Sequence, residues 1–128
     1  MIKQDLDITV VILTFNEELH LERCLSSLQK IATRIVIVDS YSTDLTETIA
    51  KKYKADFYQN AWSQNYANQL NWALENCNIQ SSWTMRMDAD EYLSDALIDE
   101  IQKSFSNNAE TFNSVEIPRS VIFKGKKI

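Results

Sequence analysis

The sequence predicts an α/β domain, a doubly wound and mainly parallel sheet flanked by helices, and three observations carry that expectation. Ile8-Thr-Val-Val-Ile-Leu13 and Ile35-Val-Ile-Val38 are β-branched and almost wholly apolar, the pattern of strands buried on both faces. The segment between them places Leu21, Cys24, Leu25 and Leu28 at i, i+3, i+4 and i+7, one stripe of a helix. The chain has 128 residues, 45% hydrophobic and 24% charged, which suits one domain with a buried core.

The elements follow in order. Asn16 is placed to cap the first helix, with Glu17 and Glu18 in its first turn, where the helix dipole favours acids. After Val38 the polar run Asp39-Ser-Tyr-Ser-Thr-Asp44 makes a turn, and Asp44 with Glu47 reads as a capping box. Leu45, Ile49 and Tyr53 mark the second helix face, closed by Lys51, Lys52 and Lys54. A brief strand spans 56–59, and a third helix runs over 63–76 with Ala67, Leu70, Leu74 and Cys77 inward. A strand over 83–90, a helix over 96–105, and one or two strands over 114–123 around Pro118 complete a βαβαβαβαβ order.

Composition excludes several classes. With Gly125 as its one glycine, the chain holds neither a Walker A loop nor a GxGxxG turn. Two cysteines and His20 cannot build a structural zinc site, so a metal would be held by carboxylates. Cys24 and Cys77 fall inside helical patterns and read as reduced core thiols. A net charge of −5 argues against nucleic acid as a partner. The longest apolar stretch is too short for a transmembrane segment, and Asp5 and Asp7 stand where a signal peptide needs an apolar run. The expected location is cytoplasmic. Arg119, Lys124, Lys126 and Lys127 follow the last acid; they read first as a solvated end, and second as a peripheral contact with the inner face of the membrane.

Open α/β sheets bind ligands beyond the carboxyl ends of their strands, which directs attention to 14–17, 39–40 and 88–91. In the fourth strand Thr84, Arg86, Asp88 and Asp90 share one parity and so line one face. That polar face belongs either to an edge strand exposed to solvent or to a cleft or cation site. A DxD is close to a chance event among nine aspartates, but of the two in this chain only Asp88-Ala-Asp90 ends a strand. Two carboxylates on one face suit a hard divalent ion. Glu91 reads as a helix-initiating acid or as support behind that pair. Asp39 reads either as a turn former or as an acceptor for a base N–H or a ribose hydroxyl. His20 reads as a surface or cap residue, and Trp62, Tyr66 and Trp72 as core.

Thr14-Phe-Asn-Glu-Glu18, Val38-Asp-Ser-Tyr-Ser-Thr-Asp-Leu-Thr46, Gln69-Leu-Asn-Trp-Ala-Leu74 and Arg86-Met-Asp-Ala-Asp-Glu91, in that order, resemble family-two glycosyltransferases of the GT-A fold. The resemblance is to bacterial enzymes that add a sugar to lipopolysaccharide core or related surface glycans. It implies inverting transfer from a nucleotide sugar, a UDP-sugar foremost, to a hydroxyl of a glycan or glycolipid acceptor. It also implies that Thr14, Asn16 and Glu17 border the nucleotide, that Asp39 holds the uracil, and that Gln69 and Asn71 lie near the diphosphate. Asp88 would touch ribose or metal, and Asp90 would bind Mg²⁺ or Mn²⁺. Where relatives often carry a basic residue in the third-helix motif, this chain has Leu70. By size, residues 1–128 are expected to be the donor-binding half, a fragment or a truncated product, with the catalytic base beyond Ile128. The alternatives are a non-catalytic nucleotide-binding module and a phosphoacceptor receiver domain.

Overall fold

The computed structural model describes residues 6–108, 122–123 and 126–127. The elements are β1 (Ile8–Thr14), α1 (Leu21–Leu28), β2 (Arg34–Asp39), α2 (Thr46–Lys52), β3 (Asp56–Gln59), α3 (Tyr66–Asn76), β4 (Trp83–Asp88) and α4 (Asp95–Asn108), then β5 (Ile122–Phe123) and β6 (Lys126–Lys127). The first four strands form one parallel sheet in the order β3-β2-β1-β4. β5 and β6 pair antiparallel with each other. The rest of the strand expected over 114–123 lies outside the described residues.

Alternation along the strands sorts the core into two layers. Ile8, Val10, Ile12, Ile35 and Ile37 pack with Leu21, Cys24, Leu25 and Leu28 of α1, Ala50 of α2, and Ile98 and Ile101 of α4. Each Val, Leu or Ile among them, fully buried, contributes roughly 1.5–3 kcal/mol. Trp83 meets Phe105 edge-on at 5.0 Å, which ties α4 to β4. Val11, Val36 and Val38 face the other way, onto Ala73 of α3 and Cys77 at its C-cap. Helices therefore cover both faces, as the strand composition required.

Several boundaries and faces differ from the sequence reading. Helix α1 begins at Leu21, not beside Asn16, and no side chain caps it. Asn16 has φ 51°, a left-handed angle that asparagine tolerates, and its side chain is used elsewhere. Asp44 accepts from the Thr46 N–H at 3.0 Å, but Glu47 pairs with Lys51 at 2.8 Å instead of closing a capping box. Leu45 is exposed, and α2 turns Thr46 and Ala50 inward. Helix α3 starts at Tyr66 behind an Asn65 cap, and its inward line is Gln69, Ala73 and Cys77, while Ala67 and Leu74 are exposed. A buried polar residue anchors that face, so apolarity alone misplaced it. Trp62 is exposed, whereas Trp72 is half-buried against the second layer. β4 is the edge of the described sheet, and Thr84 and Arg86 on its polar face are exposed.

Both cysteines are buried and free. Burial pushes the Cys24 thiol up to about 12, with further upward pressure from the charges of Glu91, Asp90 and Asp88; burial also raises Cys77. Since the thiolate is the reactive form, neither should react with Ellman's reagent at pH 8 in the folded chain. Both should react in denaturant, and fast labelling of the native protein would contradict this packing.

Candidate functional site

The strand tips stand level. Thr14 of β1 is opposite Asp39 of β2, Asp39 is opposite Gln59 of β3, and Asp88 of β4 is opposite Leu13. The loops leaving β1 and β2 are joined by a set of side-chain to backbone bonds. The Asn16 N–H donates to Ser42 Oγ (2.7 Å), and the Thr43 N–H donates back to Asn16 Oδ1 (2.9 Å). The Glu17 N–H donates to Thr46 Oγ1 (2.9 Å), the Glu18 N–H to Asp44 Oδ2 (3.2 Å), and the Leu45 N–H to Glu18 Oε1 (3.0 Å). These bonds satisfy backbone donors that the short helices cannot. The two loops are thereby one unit.

Asp39 sits beneath this unit and is wholly buried. Its Oδ1 accepts from Thr14 Oγ1 (2.6 Å) and Ser42 Oγ (2.5 Å), and its Oδ2 accepts from the Ser42 N–H (2.7 Å). In this structure it is a turn former. The expected uracil contact at Asp39 and the expected nucleotide contact at Thr14 fall on two buried side chains that are bonded to each other. Gln69 is likewise buried. Its Nε2 donates to Ser40 Oγ (3.2 Å) and the Asn60 carbonyl (3.0 Å), and its Oε1 accepts from Asn60 Nδ2 (2.8 Å). It pins α3 to the tips of β2 and β3. Asn71, about 200° further round the helix, is exposed. The two amides do not share a face.

At the tip of β4 the chain leaves the sheet after Asp88, so Asp90 lies in a turn and not on the strand. The Glu91 N–H donates to the Asp88 carbonyl (3.0 Å), and the Asp88 N–H donates to Glu91 Oε1 (2.8 Å). Glu91 clips this turn and does not initiate α4, which starts four residues later. Asp88 Oδ1 accepts from the Tyr66 hydroxyl at 3.0 Å. Burial and the Asp88 charge push the Tyr66 hydroxyl up to about 12, so it stays a proton donor. The Arg86 guanidinium lies 5.0 Å from the Tyr66 ring. The expectation of a core role for Tyr66 misses the Asp88 contact, because an aromatic at a helix start gives no local sign of a distant carboxylate.

Asp90 is exposed, and it reaches back electrostatically to the first loop. Glu17 is raised above the usual carboxylate range, first by burial and then by the charge of Asp90; Asp44 and Asp88 add to this and His20 opposes it. Glu17 thus feels the charges of Asp90 and Asp88 at the carboxyl edge, while exposed His20 stands at the first position before α1. Among the described residues no three His, Cys, Asp or Glu side chains form a ready-made metal cage. Asp88 and Asp90 are hard oxygen donors that fit a divalent ion whose other ligands come from water and phosphate. No helix among the described residues is long and apolar enough to cross a membrane.

Residues 9–125 match the family model of glycosyl transferase family 2. An uncharacterized glycosyltransferase of Rickettsia typhi is 34% identical over 119 residues, covering 92% of this chain and 40% of that protein. The lipopolysaccharide core biosynthesis glycosyltransferase LpsC of Rhizobium meliloti is 39% identical over 97 residues, covering 72% of this chain and 34% of LpsC. The chain therefore spans about two fifths of the length of the curated relatives it matches. Among solved structures, S. aureus TarS superposes with a TM-score of 0.67 at 22% identity, over 88% of this chain and 38% of TarS. Glucosyl-3-phosphoglycerate synthase of Mycobacterium tuberculosis, in complex with Mn²⁺, UDP and glucosyl-3-phosphoglycerate, gives 0.52 at 20% identity, over 66% and 35%. At these identities the structures share the fold.

Proposed function

The chain belongs to glycosyl transferase family 2, with the GT-A arrangement of its sheet, and on that premise we propose that residues 1–128 supply the donor-binding half of an inverting transferase. The donor is a nucleotide sugar, UDP-linked, and the acceptor is a hydroxyl of a cell-surface glycan or lipopolysaccharide core. Supporting the donor class, structures of this fold hold UDP and Mn²⁺; supporting the acceptor class, LpsC is a core biosynthesis enzyme. The family match leaves no support for a receiver domain.

The observation that supports the reading is that Asp88 ends β4 and Asp90 follows it in the turn at the carboxyl edge of the sheet, where their charges act on Glu17. Asp88 is oriented by the Tyr66 hydroxyl and by the turn that Glu91 clips. Asp90, exposed and unburdened by strand geometry, would hold Mg²⁺ or Mn²⁺ together with Asp88. When bound, that ion supplies neutralisation of charge developing on the departing diphosphate. Asn16 holds the first loop onto the second, so the floor under the nucleotide is fixed before the donor arrives and little ordering remains to be done on binding. Exposed Asn71 can meet a donor; buried Gln69 acts by holding α3 in place.

Calorimetric titration of UDP tests the reading. Binding should tighten by about ten-fold or more when Mn²⁺ replaces EDTA, in line with charge-assisted contacts. Equal affinity in both buffers would remove the assigned role of the aspartate pair.

A further inference from the structure

Arg86 carries its charge on the side of the sheet that α3 covers. It stands in β4 opposite Val11 of β1, two residues before Asp88, which stands opposite Leu13. Side chains aligned across neighbouring strands share a face, and Val11 and Leu13 belong to the layer that packs on α3. Arg86 and Asp88 therefore leave β4 together, toward the helix. Among the described residues Arg86 forms no ion pair, although a carboxylate stands two positions away on the same face. Arg34 shows the ordinary alternative, with its Nε on Asp56 Oδ2 at 2.6 Å.

Tyr66, the first residue of α3, links the two. The Arg86 guanidinium stands over the phenol ring, 5.0 Å from its centre, and the hydroxyl of that ring donates to Asp88 Oδ1 at 3.0 Å. A cation, a ring and a carboxylate thus follow one another, and the order matters for a metal site. A guanidinium bonded directly to Asp88 would neutralise the carboxylate and repel an incoming divalent ion. A phenol hydroxyl is a neutral donor, so it orients the carboxylate and leaves the negative charge in place. Hydrogen bonds of this kind hold a ligating carboxylate in register with its ion. The ring needs holding in turn, because Tyr66 is half-buried in the opening turn of its helix, and a cation over its face restrains it.

We propose that Arg86 is a positioning residue for the divalent ion, acting on Asp88 through the ring and hydroxyl of Tyr66, an inference that rests on the donor- and metal-binding reading above. Arg86 touches neither ion nor nucleotide. It seats the ring, the ring aims the hydroxyl, and the hydroxyl fixes the carboxylate.

A double-mutant cycle tests this. The full chain, Arg86→Met, Tyr66→Phe and the double variant are titrated calorimetrically with UDP in Mn²⁺ and in EDTA, alongside thermal unfolding. Methionine keeps an unbranched stem and removes the charge; phenylalanine keeps the ring and removes the hydroxyl. In Mn²⁺, Tyr66→Phe should weaken UDP about ten-fold, as expected for a bond that orients a metal ligand. Arg86→Met should weaken it about three- to five-fold, in line with an exposed cation–π contact. The double variant should lose about ten-fold and not the product of the two, because no hydroxyl remains for Arg86 to place. In EDTA all four should agree within about two-fold, and Tm should fall by no more than about 5 °C. Losses that multiply in the double variant would mean that Arg86 meets the ligand directly. Equal losses in Mn²⁺ and EDTA would mean that it serves the fold, and a full Mn²⁺ response in Arg86→Met that it serves neither. Each of these overturns the proposal. A parent chain whose UDP affinity ignores Mn²⁺ defeats the metal-binding reading itself; a parent that responds, with a cycle that fails, defeats only the part given to Arg86.

Discussion

Asp90→Ala should abolish the tightening of UDP by Mn²⁺ and leave the metal-free affinity nearly unchanged. Residues that merely orient a metal ligand are worth 10–100-fold in metal affinity, so loss of a direct carboxylate should reach at least about 100-fold. The fold should not register the change. Asp90 is exposed, lies in a turn beyond β4, and takes no part in the bonds that clip that turn; surface substitutions of this kind stay within about 0.5 kcal/mol. Titration calorimetry in Mn²⁺ and in EDTA separates the two effects. An Asp90→Ala protein that keeps the full metal response would assign the cation elsewhere.

Asp39→Ala should cause the largest loss of stability of any change at the strand tips. The carboxylate is wholly buried and accepts three hydrogen bonds from Thr14 and Ser42. Its removal orphans a buried hydroxyl and a backbone N–H, each costing about 1–3 kcal/mol, more where the lost partner was charged. A total of about 3–5 kcal/mol lowers Tm by roughly 10–20 °C in a domain of this size. Asp39→Asn keeps one acceptor and should fall between. UDP affinity should drop in both, because the loop pair rests on Ser42. Thermal unfolding decides it, and a Tm within about 2 °C of the parent would mean that the carboxylate is not the keystone of the two loops.

The sheet, its parallel sense and the helix that follows the first strand were legible because burial on two faces writes itself as unbroken apolar runs and a single stripe at helical spacing. Ile8–Leu13, Ile35–Val38 and the Leu21/Cys24/Leu25/Leu28 stripe carry about half of that core. The strand ends were legible as the place for chemistry, yet the roles of individual residues there were not. Thr14 and Asp39 are 25 positions apart, Asn16 and Thr43 are 27, and Gln69 meets Ser40 across 29. No local pattern reports such bonds. A polar residue in a motif looks the same whether it faces a ligand, as Asn71 can, or is consumed inside, as Gln69 is. Tyr66 shows the converse: its ring suggested core, but its hydroxyl serves Asp88. The end of β4 escaped for a local reason, since the Asp88–Glu91 clip stops the strand two residues before its alternation runs out.

The most direct measurement is Mn²⁺ electron paramagnetic resonance, which reads free aqueous ion against bound ion. The acids at the tip of β4 are too few among the described residues to cage a cation alone, and a nucleotide diphosphate would supply the missing oxygens. Mn²⁺ added to the chain should therefore stay largely free, and the free signal should collapse when UDP is added, beyond what UDP does without protein. A free signal that is the same with UDP alone and with UDP plus the chain would contradict the account at its centre.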